Sequence, residues 1–592
     1  MHQVTAIIIR CVISVMLLYS LLTVTTATSS IDKQAVNNSV TINSHEKIVK
    51  SDTTLAGVNI LGYFTTTAEA RENGRLPPMN YYEDSFRIFS QAGMNIVRYM
   101  FTWESYHKNP SLFMNELSKV ARIADKWKIN VIYANDQFHI SSWLDQHSGY
   151  GFPSFLFMNK PQFPAGGGGA SDNLTAQLWW TEWYNRSIKK DNGTADGWSL
   201  QADFLKKIIR AVDNHSSTLG YEILNEPQVY VEDQWEKIGN YNTFIANELR
   251  HFSNKTLVFD RQLPSDVGAG PINAVPENMA KMVPRNVRNI VFKTTLYGLP
   301  THCSYAEARL NTAATTAQLL GIPMWVGEFN IGITGEDPEA DINQTEVNLF
   351  VKKFDEIRAW GWSFWVWGFR DHPQNVRNYD LANTTQNDGE RRIEPTRYFD
   401  YAKNAIATTE TKNTGGVSST TSNRNGSVLT NERLSDQLDV SPLGNHTQIA
   451  NVSDTICPTI PVTKLDGALR SSDYSLSTSS SKPILLAKTL PGQLLVQGDA
   501  YDIGSGVKSV EIKLINQQTE SSNNNQPYHQ LISNSEKSRH WFNWTAYLPI
   551  STAGFYKLIV KAADHAGNVN YNTIFIKAIN ENSGPSTERQ KE

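Results

Sequence analysis

Residues 94–136 read "MNIVRYMFTWESYHKNPSLFMNELSKVARIADKWKINVIYAND". Two apolar runs, at 94–100 and 129–136, flank "MNELSKVARIADKW", whose apolar residues recur every three or four positions. Short apolar runs read as buried strands and the three-four spacing as a helix with one buried face. The stretch is therefore predicted to be a strand, a helix and a second strand.

The same alternation continues on both sides. Strand-like runs recur as "LAGVNIL" (55–61), "GYEILNE" (220–226), "TLVFDR" (256–261), "NIVFKTTLY" (289–297), "PMWVGEF" (323–329) and "GWSFWVW" (361–367). Helical segments such as "YYEDSFRIFSQAG", "SLQADFLKKIIRAVDN", "YNTFIANELRHF" and "VNLFVKKFDEIRAW" lie between them. Eight alternations predict an α/β fold, a (β/α)8 TIM barrel over residues 55–405. A doubly wound open sheet is the competitor. No Gly-rich phosphate loop follows any run, which counts against its nucleotide-binding form.

The flanks divide by composition. Residues 1–29 hold an apolar run from Ile7 to Val24 followed by small residues around Ala27, the pattern of a signal peptide or a signal anchor, so export is expected, with membrane attachment through this segment as the alternative. Residues 30–54 read as an N-terminal linker and 406–481 as a Ser/Thr/Asn-rich linker, too polar to offset the entropy of ordering. A short apolar patch at Ile456 to Val462 is expected to dock locally. Residues 482–580 show short strand-like runs parted by turn residues, which predict an antiparallel β-sandwich, and 581–592 form a polar tail. "DIGSGVKSVEIKL" and "YKLIVKAADHAGNV" resemble the immunoglobulin-like modules of secreted microbial enzymes, which implies a spacer or adhesion role.

Bulk chemistry narrows the partners. A formal charge of −4 over 592 residues leaves no electrostatic footprint for nucleic acid, and neutral substrates fit better. With three cysteines, one of them in the N-terminal apolar segment, a disulfide scaffold is excluded. No His/Cys cluster has ligand spacing, so neither a metal nor an organic cofactor is expected. Fifteen Trp residues suit an aromatic core or flat surfaces that stack on sugar rings.

In such a barrel the chemistry gathers where strands end. Asn225 and Glu226 close the fourth run and Glu328 the seventh. Each acid alone reads equally well as a helix cap or an exposed loop residue. Together, two carboxyls projecting into one barrel mouth can flank a glycosidic bond, one protonated and one ionised.

"GYEILNEP" with "IPMWVGEFN" resembles the paired signature of glycoside hydrolase family 5, the cellulase family of retaining (β/α)8 enzymes, and the likeness spans about residues 55–405. It implies Glu226 as general acid/base, Glu328 as nucleophile and Asn225 as the residue that holds the sugar 2-hydroxyl. "GMNIVRYMFTW" resembles the family's second-strand segment, which implies a place for Arg98 beside the nucleophile and brings Trp103 into the substrate-binding set. Tyr297 matches the tyrosine that reaches the nucleophile, and Trp365 the tryptophan that floors the subsite beside the cleaved bond; Trp367 is expected in the core. Where the family carries histidines, this chain offers Asp136 or His139 after the third strand and Thr295 in the sixth. That departure touches the substrate more than the reaction.

The third connection, residues 141–187, is far longer than an ordinary β/α loop. Its Trp143, Trp179, Trp180 and Trp183 are candidate stacking platforms or, for half or more of them, residues that pack the loop onto the barrel, and "GYGFP" faintly resembles endoglycoceramidases. The expected function is a secreted, monomeric retaining β-glycoside hydrolase of the cellulase or β-mannanase kind, acting on carbohydrate alone. The alternatives are a non-catalytic carbohydrate-binding surface protein and an endoglycoceramidase-like glycosidase.

Overall fold

The computed structural model describes residues 47–48, 54–62, 80–146, 149–157, 174–190, 195–229, 233–260, 274–298, 304–331, 343–368, 380–387, 390–413, 438–439, 456–465, 484–488, 490–517, 528–535 and 541–580. The segment read as signal or anchor lies outside them. Among the described residues no helix is long and apolar enough to cross a membrane.

Eight parallel strands close into a barrel in chain order: β1 (Leu55–Leu61), β2 (Ile96–Phe101), β3 (Asn130–Asn135), β4 (Thr218–Glu222), β5 (Thr256–Asp260), β6 (Ile290–Tyr297), β7 (Met324–Asn330) and β8 (Gly361–Trp367). Val58 of β1 pairs with Val97 on one side and Phe364 on the other, which shuts the ring. Around it lie α1 (Tyr81–Gln91), α2 (Trp103–Lys108), α3 (Pro110–Trp127), α4 (Leu174–Tyr184), α5 (Gly197–Val212), α6 (Gln234–Arg250), α7 (Pro276–Ala280), α8 (Tyr305–Leu320) and α9 (Gln344–Glu356). The three-four spacing of α3 buries Phe113, Leu117, Val120, Ala121 and Ala124 against the barrel. Asn109 caps its start by accepting from the Leu112 amide, and Pro110 opens the first turn, where its missing N–H costs nothing.

Inside the barrel, Leu55, Ile96, Ile132, Leu219, Val258, Val291 and Trp325 form one apolar layer. Alternate residues of a strand share a face, so two positions past Ile96, Val258 and Val291 come Arg98, Asp260 and Lys293. A dry floor thus carries a charged layer directly above it.

Two register shifts aim carboxyls into that layer. Between β3 and β4 the pairing steps from Val131↔Thr218 to Ile132↔Gly220, so β4 carries one extra residue and Glu222 comes to lie opposite Ala134. Between β6 and β7 it steps from Thr294↔Val326 to Thr295↔Glu328, and Gly327 is the extra residue. Strict alternation from the inward Trp325 would send Glu328 outward; the bulge turns it in.

After β8 come a hairpin, β9 (Ala382–Asn387) with β10 (Glu390–Pro395), and α10 (Arg397–Asn413). The C-terminal module has two sheets. One holds β11 (Val462–Leu465), β13 (Gly492–Tyr501) and β16 (Trp541–Ile550); the other holds β12 (Ile484–Lys488), β18 (Val569–Asn580), β17 (Gly554–Asp564), β14 (Val507–Asn516) and β15 (His529–Ser533). The sheets are antiparallel except at the edge, where β12 pairs with β18 in parallel. Trp544, Leu494, Val496, Leu558 and Val560 fill the space between them.

Residues 456–465 fall in the range read as linker, and the apolar patch expected to dock there does so, against both bodies. Val462–Leu465 form β11, whose apolar Val462 and Leu465 join the core of the module. Asn311 of α8, fully buried, donates to the Cys457 and Tyr501 carbonyls at 3.3 and 3.1 Å and to Thr459 Oγ1 at 3.0 Å, while its Oδ1 accepts from the Ile503 amide at 2.9 Å. Thr312 Oγ1 meets the Tyr501 hydroxyl at 2.7 Å. A tethered spacer would not need this junction. Cys457 is itself disulfide-bonded, a single bridge and not a scaffold, and its partner lies outside the described residues.

Replacing Asn311 by Ala strands several buried backbone groups at once. The Asn311→Ala protein is expected to lose on the order of 1–3 kcal/mol or more of stability in denaturant unfolding, and its junction to become a site of early cleavage in limited proteolysis. An unchanged unfolding curve and cleavage pattern would show that the apolar contacts alone hold the module.

Candidate active site

The charged layer is organised by two fully buried cations. Arg98 grips Glu222 with two hydrogen bonds, Nε to Oε2 at 2.6 Å and Nη2 to Oε1 at 2.7 Å. Its Nη1 donates to Asn59 Oδ1 at 2.9 Å and to Glu328 Oε2 at 3.0 Å, and its Nη2 also donates to Asn225 Oδ1 at 2.9 Å. Lys293 donates to Asn225 Oδ1 and Asp260 Oδ2 at 2.8 Å each and to Glu222 Oε1 at 3.2 Å. Arg98 does stand beside Glu328, as expected, but its bidentate partner is Glu222. Burial works to raise the Glu222 carboxyl, and Arg98 and Lys293 outweigh it, so this acid is held below the usual range.

Asn225 and Glu226 lie beyond the end of β4, on the turn that follows, and not on the strand itself. Glu226 has φ +44°, a left-handed backbone that costs a non-glycine residue roughly 1–3 kcal/mol. The turn is clamped on both sides. The Glu226 amide donates to Asp260 Oδ2 at 2.8 Å, and Gln137 Nε2 donates to the Asn225 and Glu226 carbonyls at 3.0 Å each. Burial, then Glu328 and then Asp260 push the Glu226 carboxyl well above the ordinary glutamic acid value. Its Oε1 is buried and makes no hydrogen bond among the described residues.

Glu328 accepts from Arg98 on Oε2 and from the Tyr297 hydroxyl on Oε1. The Tyr297 phenol is driven up by burial and by the Glu328 charge, so it remains the donor. Asp136 accepts from Asn225 Nδ2 at 2.7 Å and is raised to about 7, chiefly by burial. Tyr150, from "GYGFP", hydrogen-bonds Asp136. Trp365 is the one residue of β8 that is not buried.

Other expected site residues go elsewhere. Trp103 is buried, stacked on Phe204 with centroids 5.7 Å apart and met at its edges by Phe152 and Phe155, so it is core and offers no face to a sugar. His139 pairs with Asp145 at 2.6 Å and stacks on Phe138, contacts made within its own loop. Trp179, Trp180 and Trp183 are fully buried in α4 around Phe152, which removes three of the four proposed platforms; Trp143 is 37% exposed. Trp367 sits in the core against Phe89 and Phe399, with Nε1 donating to Ser85 Oγ at 2.8 Å.

Glu222, Asp260, Lys293, Asn59 and Gln137 belong to the site although no motif marks them. A signal was there for three of them: an acid or a lysine inside an apolar strand run must be buried, and a buried charge requires a partner. Nothing in the sequence says which partner.

Gly327 shows how tightly the layer is packed. A Cβ there would lie 2.7 Å from Lys293 Cε and Cγ and 2.8 Å from its Cδ. Lys293 is anchored by three acceptors, so it cannot swing aside freely. Gly327→Ala is expected to lower stability by about 1–3 kcal/mol and to cut hydrolysis, read by thermal unfolding and by initial rates; a variant matching the parent in both would mean that the lysine has room to move.

No curated protein sequence matches this chain. Among solved structures it is similar to an endogalactoceramidase (11% identity, TM-score 0.44, covering 85% of this chain and 98% of that one). It is similar also to endo-glycoceramidase II from Rhodococcus sp. in complex with ganglioside GM3 (12%, 0.42, 86% and 100%) and to Pseudomonas stutzeri endoglucanase Cel5A in complex with cellobiose (13%, 0.39, 61% and 95%). The family model for cellulase, glycosyl hydrolase family 5, matches residues 75–371, just over half of the chain. That match takes in the strands and turns that carry both buried acids, and on it the chain belongs to glycoside hydrolase family 5 and is a glycosidase.

Proposed function

We propose that this glycosidase cleaves β-linked polysaccharide or oligosaccharide of the β-1,4-glucan or mannan kind, with retention at the anomeric carbon. The observation that carries the reading is the contrast between two buried acids. Glu226 is pushed toward its protonated form and has an oxygen with no hydrogen-bond partner among the described residues, whereas Glu328 lies between a guanidinium and a phenol, donors that suit an anion.

In the first step a Glu328 oxygen bonds to the anomeric carbon as the bond from that carbon to the leaving oxygen breaks. Glu226 gives that oxygen its proton. In the second, a water bonds to the anomeric carbon, Glu226 takes the water's proton, and the bond to Glu328 breaks. Asn225 Oδ1 already accepts from both Arg98 and Lys293, so its amide is fixed with Nδ2 toward Asp136, and a sugar 2-hydroxyl would share or replace that contact. Trp365, the half-buried residue of β8, would carry the sugar face beside the cleaved bond. The N-terminal apolar segment would deliver the enzyme outside the cell, cleaved or kept as an anchor.

The test is reducing-sugar release by the full chain from β-glucans, mannans, xyloglucan and a glycolipid, with proton NMR of the first anomer formed. Retention on one substrate, lost in Glu328→Gln, is the expected result; an inverted product would overturn the mechanism. Silence on every substrate, with glycan still bound, would favour a binding protein.

The pH profile has a definite sign. The acid must carry its proton, and the raised Glu226 value keeps the proton on as pH climbs, so the rate holds through the ordinary carboxylate range and falls only when pH passes that raised value. Glu226→Gln is expected to lose this alkaline limb and about 10²–10⁴ in rate on unactivated substrates, while an aryl glycoside with a good leaving group, which needs no proton, still forms the glycosyl-enzyme. An alkaline limb surviving in Glu226→Gln would assign it to another group.

A further inference from the structure

Lys293 has no part in the steps above, although it lies at the centre of the site. We propose that Lys293, acting with Asp260, is a positioning residue that locks the Asn225 amide and the strained Glu226 turn into their working geometry. This rests on the reading of Glu226 as the acid.

An ammonium has three N–H bonds, and Lys293 has three acceptors within 3.2 Å: Asn225 Oδ1, Asp260 Oδ2 and Glu222 Oε1. None is left to offer a substrate, so the lysine works through its neighbours. Through Asn225 it fills the second acceptor site on an oxygen that Arg98 already occupies, which prevents the amide from flipping. Through Asp260 it acts on Glu226: the same Oδ2 accepts both Lys293 Nζ and the Glu226 amide, 2.8 Å from each. That hydrogen bond, with the Gln137 clamp on the other side, holds Glu226 at φ +44° against its own preference. Lys293 is also 3.9 Å from Glu328 Oε2, so its charge is felt by both acids. The two members of the pair bear on Glu226 in opposite senses, since Lys293 favours its ionised form and Asp260 its protonated form.

That opposition separates positioning from mere support. The full chain and its Lys293→Met, Asp260→Asn and Glu226→Gln variants would be prepared with carbon-13 in the glutamate carboxyls. The Glu226 resonance, assigned by its loss in Glu226→Gln, is followed against pH. In parallel, kcat and KM are measured on 2,4-dinitrophenyl and 4-methylphenyl β-cellobiosides. Lys293→Met is expected to raise the Glu226 midpoint and Asp260→Asn to lower it. Both should reduce kcat on the poor leaving group by on the order of 10²-fold, with a smaller loss on the good one and little change in KM.

Midpoints unmoved in folded variants, or rates lost equally on both glycosides, would overturn the proposal and leave Lys293 a packing residue. If Lys293→Met does not fold, Asp260→Asn decides alone by the direction of its shift. Variant midpoints that shift as stated, while the parent hydrolyses neither glycoside nor any substrate of the panel above, would instead sink the reading of Glu226 as the acid and leave the placement standing.

Discussion

Everything in the mouth of this barrel depends on the two-pronged contact of Arg98 with Glu222. A guanidinium with no exposure cannot stay charged without compensation, and this one forms close bonds to two carboxylates and two amides. Burial opposes the charge, and Glu222 foremost restores it. Because the pair is bidentate, it fixes the plane of the guanidinium as well as its place. Glu328 on one side and Asn225 on the other are then set by a rigid part.

Such a cluster is costly to bury and is weak evidence for stability. Its worth lies in specifying geometry. The apolar floor beneath it, from Leu55 to Trp325, excludes water and lowers the local dielectric, which strengthens each charge contact above and makes each missing one expensive. The same surroundings divide the acids. Glu222, gripped by both cations, is pulled down, whereas Asp136 and Glu226, less well served, are pushed up. One fold thus pushes carboxyls a few residues apart in opposite directions.

The C-terminal module shows how few apolar groups a polar segment needs in order to dock. Residues 456–465 sit within a long run poor in apolar side chains, yet Ile456, Ile460, Val462 and Leu465 are buried. A handful of well-placed apolar groups, with the four-bond contact at Asn311, is enough to dock the patch marked in the sequence at Ile456 to Val462, while its partners could not be read there.

What the sequence by itself determined was periodic and local. All eight strand runs became barrel strands, because a parallel strand covered on both faces must be apolar along its length and a covering helix must be apolar every three or four residues. The motif marked Asn225 and Glu226, which lie on the turn after β4, and Glu328, which lies on β7. Facing direction was decided elsewhere. Glu222 and Glu328 point inward only because β4 and β7 each carry an extra residue, and a bulge leaves no mark on a period-two pattern. Trp103, Trp179, Trp180 and Trp183 looked like sugar platforms and became core, since a flat apolar ring serves either purpose and only the neighbours it finds decide which. Lys293 with Glu222 and Asp260 was legible as buried charge but not as a network, because its members are 33 and 71 residues apart in the chain and meet only when the barrel closes.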